Sequence, residues 1–99
     1  MDKLIEEIIA FRDERGWTGK NNPKDLAISI SLEASELLEH FQWGEWKEPA
    51  LEKREEIGDE LADVLIYCIT MAHGMDFDIE GIIRSKMAKN AQKYPVGRS

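Results

Sequence analysis

Cysteine is almost missing from this chain of 99 residues: Cys68 stands alone, which excludes an intramolecular disulfide framework and fits a reducing compartment. Cys68 itself reads as a small core residue. Long apolar runs are also missing. The longest, Val64 to Ala72 with Tyr67 and Thr70 inside it, is too short to span a bilayer, so no membrane partner is expected. The segment Met1-Asp2-Lys3-Leu4-Ile5-Glu6-Glu7 has no apolar stretch of signal-peptide length, and a cytoplasmic location is the expectation. Histidine is scarce. With only His40 and His73, and no cysteine cluster, a zinc site has too few ligands. Positive charge is in deficit, 13 Lys and Arg against 20 Asp and Glu, for a formal net charge of -7. A nucleic-acid partner is therefore not expected, because non-specific affinity for DNA or RNA comes from cations meeting phosphates. Any phosphate bound here needs local cations. Strand-like alternation, internal repeats and low-complexity tracts are absent as well.

What is present is helical periodicity over one domain, residues 1–99. The hydrophobic share of 42% supports a modest core, and chains this small often gain stability by oligomerising. Leu4, Ile5, Ile8, Ile9 and Phe11 form a stripe that predicts a first helix from about residue 2 to about residue 15, before Gly16. Pro23 suits the first position of a second helix with Asn22 as its cap. Its apolar residues, Leu26, Ile30, Ala34, Leu37, Leu38 and Phe41, recur at three- and four-residue steps. Trp43 to Pro49 carries Gly and Pro without a repeat and is the main connection. A third helix is expected from Pro49 or Leu51 to about Gly74, and a fourth from about Ile79 to about Lys93, ended by Pro95 and Gly97. Four helices in so short a chain, with apolar residues such as Ile8, Ile9 and Ile28 left over, suggest a dimer or tetramer.

Two acidic couplets lie inside the most apolar of these helices: Glu33 with Glu36, and Glu60 with Asp63. At about 100° per residue, Glu33 and Glu36 are roughly 60° apart, on one side of the second helix. Leu26 and Leu37 border that strip on one edge, Ile28 and Leu32 on the other. On the third helix Glu56, Glu60, Asp63 and Tyr67 share a strip between Val64 and Ile66. Carboxylates in apolar surroundings are costly unless neutralised, paired or bound to a cation. If the two helices pack antiparallel, the couplets face each other and offer several oxygens, the ligand type that Mg²⁺ or Mn²⁺ prefers. The same spacing also arises on solvated helices of an acid-rich chain. A di-iron centre would want Glu-x-x-His on two helices, and Glu36 to His40 is the wrong step. His40 falls on the side of Glu33, where it either supports the acids from behind or sits at the surface.

Farther along, Lys86, Asn90 and Lys93 recur at i, i+4 and i+7, so one face presents two ammonium groups and an amide. Such a face suits phosphate oxygens, and equally suits a solvated helix end, where cations complement the macrodipole. Trp43 and Tyr67 are candidates to hold a base, or to fill a core or interface.

Three blocks, Leu32-Glu33-Ala34-Ser35-Glu36-Leu37-Leu38-Glu39-His40-Phe41-Gln42-Trp43, Glu60-Leu61-Ala62-Asp63-Val64-Leu65-Ile66-Tyr67, and Lys86-Met87 through Asn90 to Lys93-Tyr94-Pro95, resemble the MazG-like all-α nucleotide pyrophosphohydrolases, especially the small dCTP pyrophosphatase branch. The resemblance implies an all-α, four-helix bundle assembled as a homodimer or homotetramer. It implies that Glu33, Glu36, Glu60 and Asp63 hold Mg²⁺, with Mn²⁺ as a substitute, and are the catalytic acids. Lys86, Asn90 and Lys93 would contact the phosphates of a nucleoside triphosphate, and Trp43 and Tyr67 would line its base and sugar. The implied reaction gives a nucleoside monophosphate and pyrophosphate, with dCTP or a related or modified pyrimidine nucleotide as substrate. Relatives often carry His two residues before the proline that opens the second helix; here Asn21 stands there, a substrate-binding candidate that donates and accepts hydrogen bonds without charge. Leu32 stands where the broader family tends to have a further acid. A module that binds metal or nucleotide without turnover, or a purely structural bundle, uses the same residue types.

Overall fold

The computed structural model describes residues 2–15 and 22–97, and every regular element among them is an α-helix. Helix α1 is Asp2–Glu14, α2 Pro23–Glu39, α3 Lys47–Glu52, α4 Arg54–Gly74 and α5 Ile79–Lys93. Asn21 lies outside the described residues. The start of α2 follows from two adjacent residues. Asn22 is extended, and its side chain accepts the Asp25 N–H at 2.9 Å, satisfying one of the backbone donors that a helix start leaves free. Pro23 loses nothing at the first helical position, because its missing N–H would have had no partner there.

The third helix expected from the apolar pattern is two helices, so the described chain has five helical segments rather than four. The break falls at Lys53, whose backbone (φ -109°, ψ 25°) leaves the helical region. Helix α3 also starts earlier than expected, at Lys47. Pro49 is its third residue, within the turn where amide groups have no helical acceptor, so the ring is tolerated there. At the far end α4 includes Gly74, and the left-handed residue that closes it is Asp76, at φ 58°. The Phe77 N–H reaches the Ala72 carbonyl at 2.9 Å and the Asp76 N–H the His73 carbonyl at 3.1 Å, the paired bonds of a Schellman cap.

Helices α2 and α4, joined by residues 40–53, form an antiparallel hairpin and make the most extensive contact in the chain. Each of α1, α3 and α5 packs on α4 alone among the described elements. The core of a single chain is thin: Leu26, Thr70 and Ala72 are its buried described residues. Leu61, Leu65 and Ile66 on α4 and Ile82, Ile83 and Met87 on α5 are exposed. Cys68, expected in the core, is exposed too, on the same uncovered side of α4 as exposed Leu61 and Leu65. The Cα radius of gyration is 16.4 Å, against about 13 Å for a compact domain of this length. The accessible surface is 8113 Å², against roughly 5,800 Å² for a folded monomer of 11.4 kDa.

Candidate functional site

The hairpin brings the two acid couplets onto one seam. Glu33 and Glu36 come from the middle of α2, Glu60 and Asp63 from the first half of α4. Ser35, between the α2 acids, is turned back onto its own helix, its hydroxyl donating to the Ser31 carbonyl at 3.0 Å. Glu33 is the electrostatic centre of the group. Burial pushes its carboxyl above the ordinary value of 4.5, a hydrogen bond with Glu36 adds to this, and the negative charges of Glu36, Asp63 and Glu60 act in the same direction. One residue thus feels the other three.

Two carboxylate oxygens, Oε2 of Glu33 and Oε2 of Glu60, are buried and have no hydrogen-bond partner. One comes from each helix. Buried polar atoms in folded proteins are nearly always satisfied, and an orphaned carboxylate oxygen carries a desolvation penalty that a cation would remove. The donor set therefore fits a hard divalent ion by ligand type. The side chains are not drawn into a ligand cage: among the described residues no three His, Cys, Asp or Glu groups stand together in metal-binding geometry.

His40, just past the end of α2, reaches across to the same seam. Its Nε2 is 3.3 Å from Oε1 of Glu60, with both side chains largely covered, at 14% and 24% exposed. The contact is not aligned as a hydrogen bond, and Nε2 has no other partner. The seven-residue step from Glu33 puts His40 on the same side of α2. Its pairing with Glu60 depends on the register of α2 against α4, which spacing along one helix does not contain.

The remaining predicted residues are distributed differently. Tyr67 is half-buried, one turn beyond Asp63 on α4. Trp43 follows α2 in a turn and is 89% exposed, so one chain by itself builds no enclosed base pocket around it. Lys86, Asn90 and Lys93 are exposed on α5, which touches α4 and not α2, so the chain does not fold its cationic face over the acid seam. The Lys93 ammonium lies 5.4 Å from the centre of the Tyr94 ring. A cleft of about 730 Å³ opens elsewhere, between the start of α1, the end of α4 and α5, lined by Ile5, His73, Phe77, Ile83 and Met87 among others. None of the predicted site residues lines it. The orphaned carboxylate oxygens locate chemistry more directly than an open cleft of mixed polar and apolar lining does.

A sequence profile of the MazG-like family matches residues 28–99, a span that includes both acid couplets and the cationic face of α5. The chain is 36% identical to dCTP pyrophosphatase 1 of Rattus norvegicus, over 87% of this chain and 54% of the rat protein. Against the Homo sapiens protein of the same name the identity is 34%, with the same coverage. The chain thus spans about half the length of the curated relatives it matches. A crystal structure of a pyrophosphatase from Archaeoglobus fulgidus DSM 4304 superposes with a TM-score of 0.89 at 39% identity, covering 96% of this chain and 92% of that one. Agreement in sequence and in helix arrangement over nearly the whole chain leads to one conclusion: this protein belongs to the MazG-like family and resembles its dCTP pyrophosphatases.

Proposed function

We propose that this protein is a nucleoside triphosphate pyrophosphohydrolase that converts a (d)NTP, dCTP or a related or modified pyrimidine nucleotide, to the monophosphate and pyrophosphate. The observation that carries the reading is the pair of buried, unpartnered carboxylate oxygens on facing helices, around a Glu33 surrounded by three more acids. The names of the relatives, dCTP pyrophosphatase 1 and a pyrophosphatase, agree with it.

Glu33, Glu36, Glu60 and Asp63 would hold Mg²⁺, or Mn²⁺ in its place. A bound ion of this kind supplies neutralisation of triphosphate charge and polarisation of the α-phosphoryl group. The protein's own groups divide the rest. A carboxylate of the seam accepts the proton of a water that attacks the α-phosphorus. As the new P–O bond forms, the bond from the α-phosphorus to the bridging oxygen breaks, and that oxygen leaves with pyrophosphate. Lys86, Asn90 and Lys93 would neutralise phosphate oxygens, and Trp43, Tyr67 and Asn21 would contact base and sugar.

Assembly into a homodimer or homotetramer belongs to the same reading. The accessible surface exceeds that of a folded monomer by about 2,300 Å², comparable to the surface a protomer gives up in about three standard interfaces or in one large obligate one. The apolar residues exposed on α4 and α5 supply the chemistry for such contacts.

The test is a panel of dNTPs and NTPs with Mg²⁺, with both products identified. We expect monophosphate and pyrophosphate in equal amounts from a pyrimidine nucleotide. Glu36→Gln or Asp63→Asn should lower kcat/KM by on the order of 100-fold or more. Undiminished Mg²⁺-dependent hydrolysis by these variants would remove the seam from the mechanism.

A further inference from the structure

We propose that His40 is a positioning residue for Glu60, holding Oε1 so that Oε2 is presented to the cation, an inference that rests on the proposed function. Three observations place it there. His40 Nε2 is 3.3 Å from Glu60 Oε1. That nitrogen is buried with no hydrogen-bond partner, and the carboxylate of Glu60 beside it is the acceptor that a small rotation of either side chain would engage. The other oxygen of the same carboxylate is also buried and unpartnered. One oxygen faces the imidazole and its twin is left over.

The backbone explains how His40 comes to be in place. It caps the C-terminal end of α2, with its N–H directed at the Leu37 and Leu38 carbonyls, so its Cα is held by the helix. The side chain crosses the seam to α4 at the level of Glu60, one turn before Asp63. A carboxylate with one oxygen engaged by an N–H donor loses rotational freedom about its last torsion, and its free oxygen is presented in one direction. Donors of this kind behind metal-binding carboxylates raise metal affinity by orienting the ligand, and their loss typically weakens binding about 10–100-fold. The role needs only an N–H donor at the Nε2 position, in whichever charge state the ring adopts.

Glutamine places an amide nitrogen near the position of Nε2, whereas asparagine is too short to reach and leucine has no donor. The experiment titrates the protein with Mn²⁺ alone, without nucleotide, and follows free Mn²⁺ by electron paramagnetic resonance. His40→Leu and His40→Asn should raise the Mn²⁺ Kd by about tenfold or more, and His40→Gln should stay within about threefold of the parent. Metal-free melting curves of the variants should lie close together. The Mg²⁺ concentration for half-maximal hydrolysis should rise in step with the Mn²⁺ Kd, while kcat at saturating Mg²⁺ changes less. Equal Mn²⁺ affinity in the parent and in His40→Leu overturns the proposal and leaves the function standing. A glutamine variant no better than the asparagine variant overturns it as well. Absence of Mn²⁺ binding by the parent protein overturns both readings together.

Discussion

Glu33 concentrates the residue-scale physics of this protein. Its carboxyl is held above the ordinary value of 4.5 by burial first, then by its hydrogen bond with Glu36 and by the charges of Glu36, Asp63 and Glu60. The folded state therefore binds this proton more tightly than the unfolded state does. The stabilisation is fully present below about pH 4.5 and is lost as pH rises through the raised value. In EDTA, melting temperature should carry a component that falls across the pH range just above 4.5, and Glu33→Gln should remove it. With Mg²⁺ present the component should flatten, since a cation favours the ionised carboxylate and its binding releases a proton. Melting curves across pH 4–8 for the parent and Glu33→Gln check this. Identical pH dependence in the two proteins would show that Glu33 does not sense its neighbours. The four acids were legible as two couplets, because i, i+3 spacing is a property of one helix. That Glu33 is the most perturbed of them was not, because desolvation depends on what packs over the residue.

At the scale of elements, local chemistry specified most boundaries. Asn22 and Pro23 announce the start of α2, and the structure uses both as expected, one as an acceptor for Asp25 N–H and one at the first helical position. Since α2 carries half of the acid seam, its cap bears on function as well as on stability. Asn22→Ala should destabilise the protein by about 1 kcal/mol, visible as a melting temperature lower by several degrees, with the acid seam still able to form. A change below a few tenths of a kcal/mol would mean that the cap is redundant. Helix α5 runs from Ile79 to Lys93, as its pattern and Pro95 imply. The break at Lys53 was not legible, because no Gly or Pro marks it and the charged run from Glu52 to Glu56 is compatible with a continuous helix. The closing residue of α4 is another such case. Glycine is the usual left-handed residue at a helix end, yet here Asp76 takes that conformation two residues after Gly74.

For the whole molecule the deciding fact is how little one chain buries. A radius of gyration of 16.4 Å and a surface of 8113 Å² describe a hairpin with helices leaning on it rather than a closed bundle. Exposed Leu61 and Leu65 on α4, one turn apart and beside exposed Cys68, form an apolar face that water disfavours. The purified protein should run in light scattering at a mass of two or four chains. Leu65→Glu should shift the population toward the monomer and lower the melting temperature, because it would place a charge inside the contact. A parent protein that is monomeric at micromolar concentration would overturn the assembly reading.

The sequence by itself determined the helical class, the placement of α1, α2 and α5, the couplets and the cationic face, because periodicity, caps and breakers act within a few residues along the chain. Only the tertiary structure decided that Glu33 sits among three other carboxylates, that His40 meets Glu60, and that α5 stays clear of α2. Those outcomes depend on the register and packing of one helix against another. Such long-range geometry is selected by the burial of apolar surface over the whole molecule, and no local pattern records it.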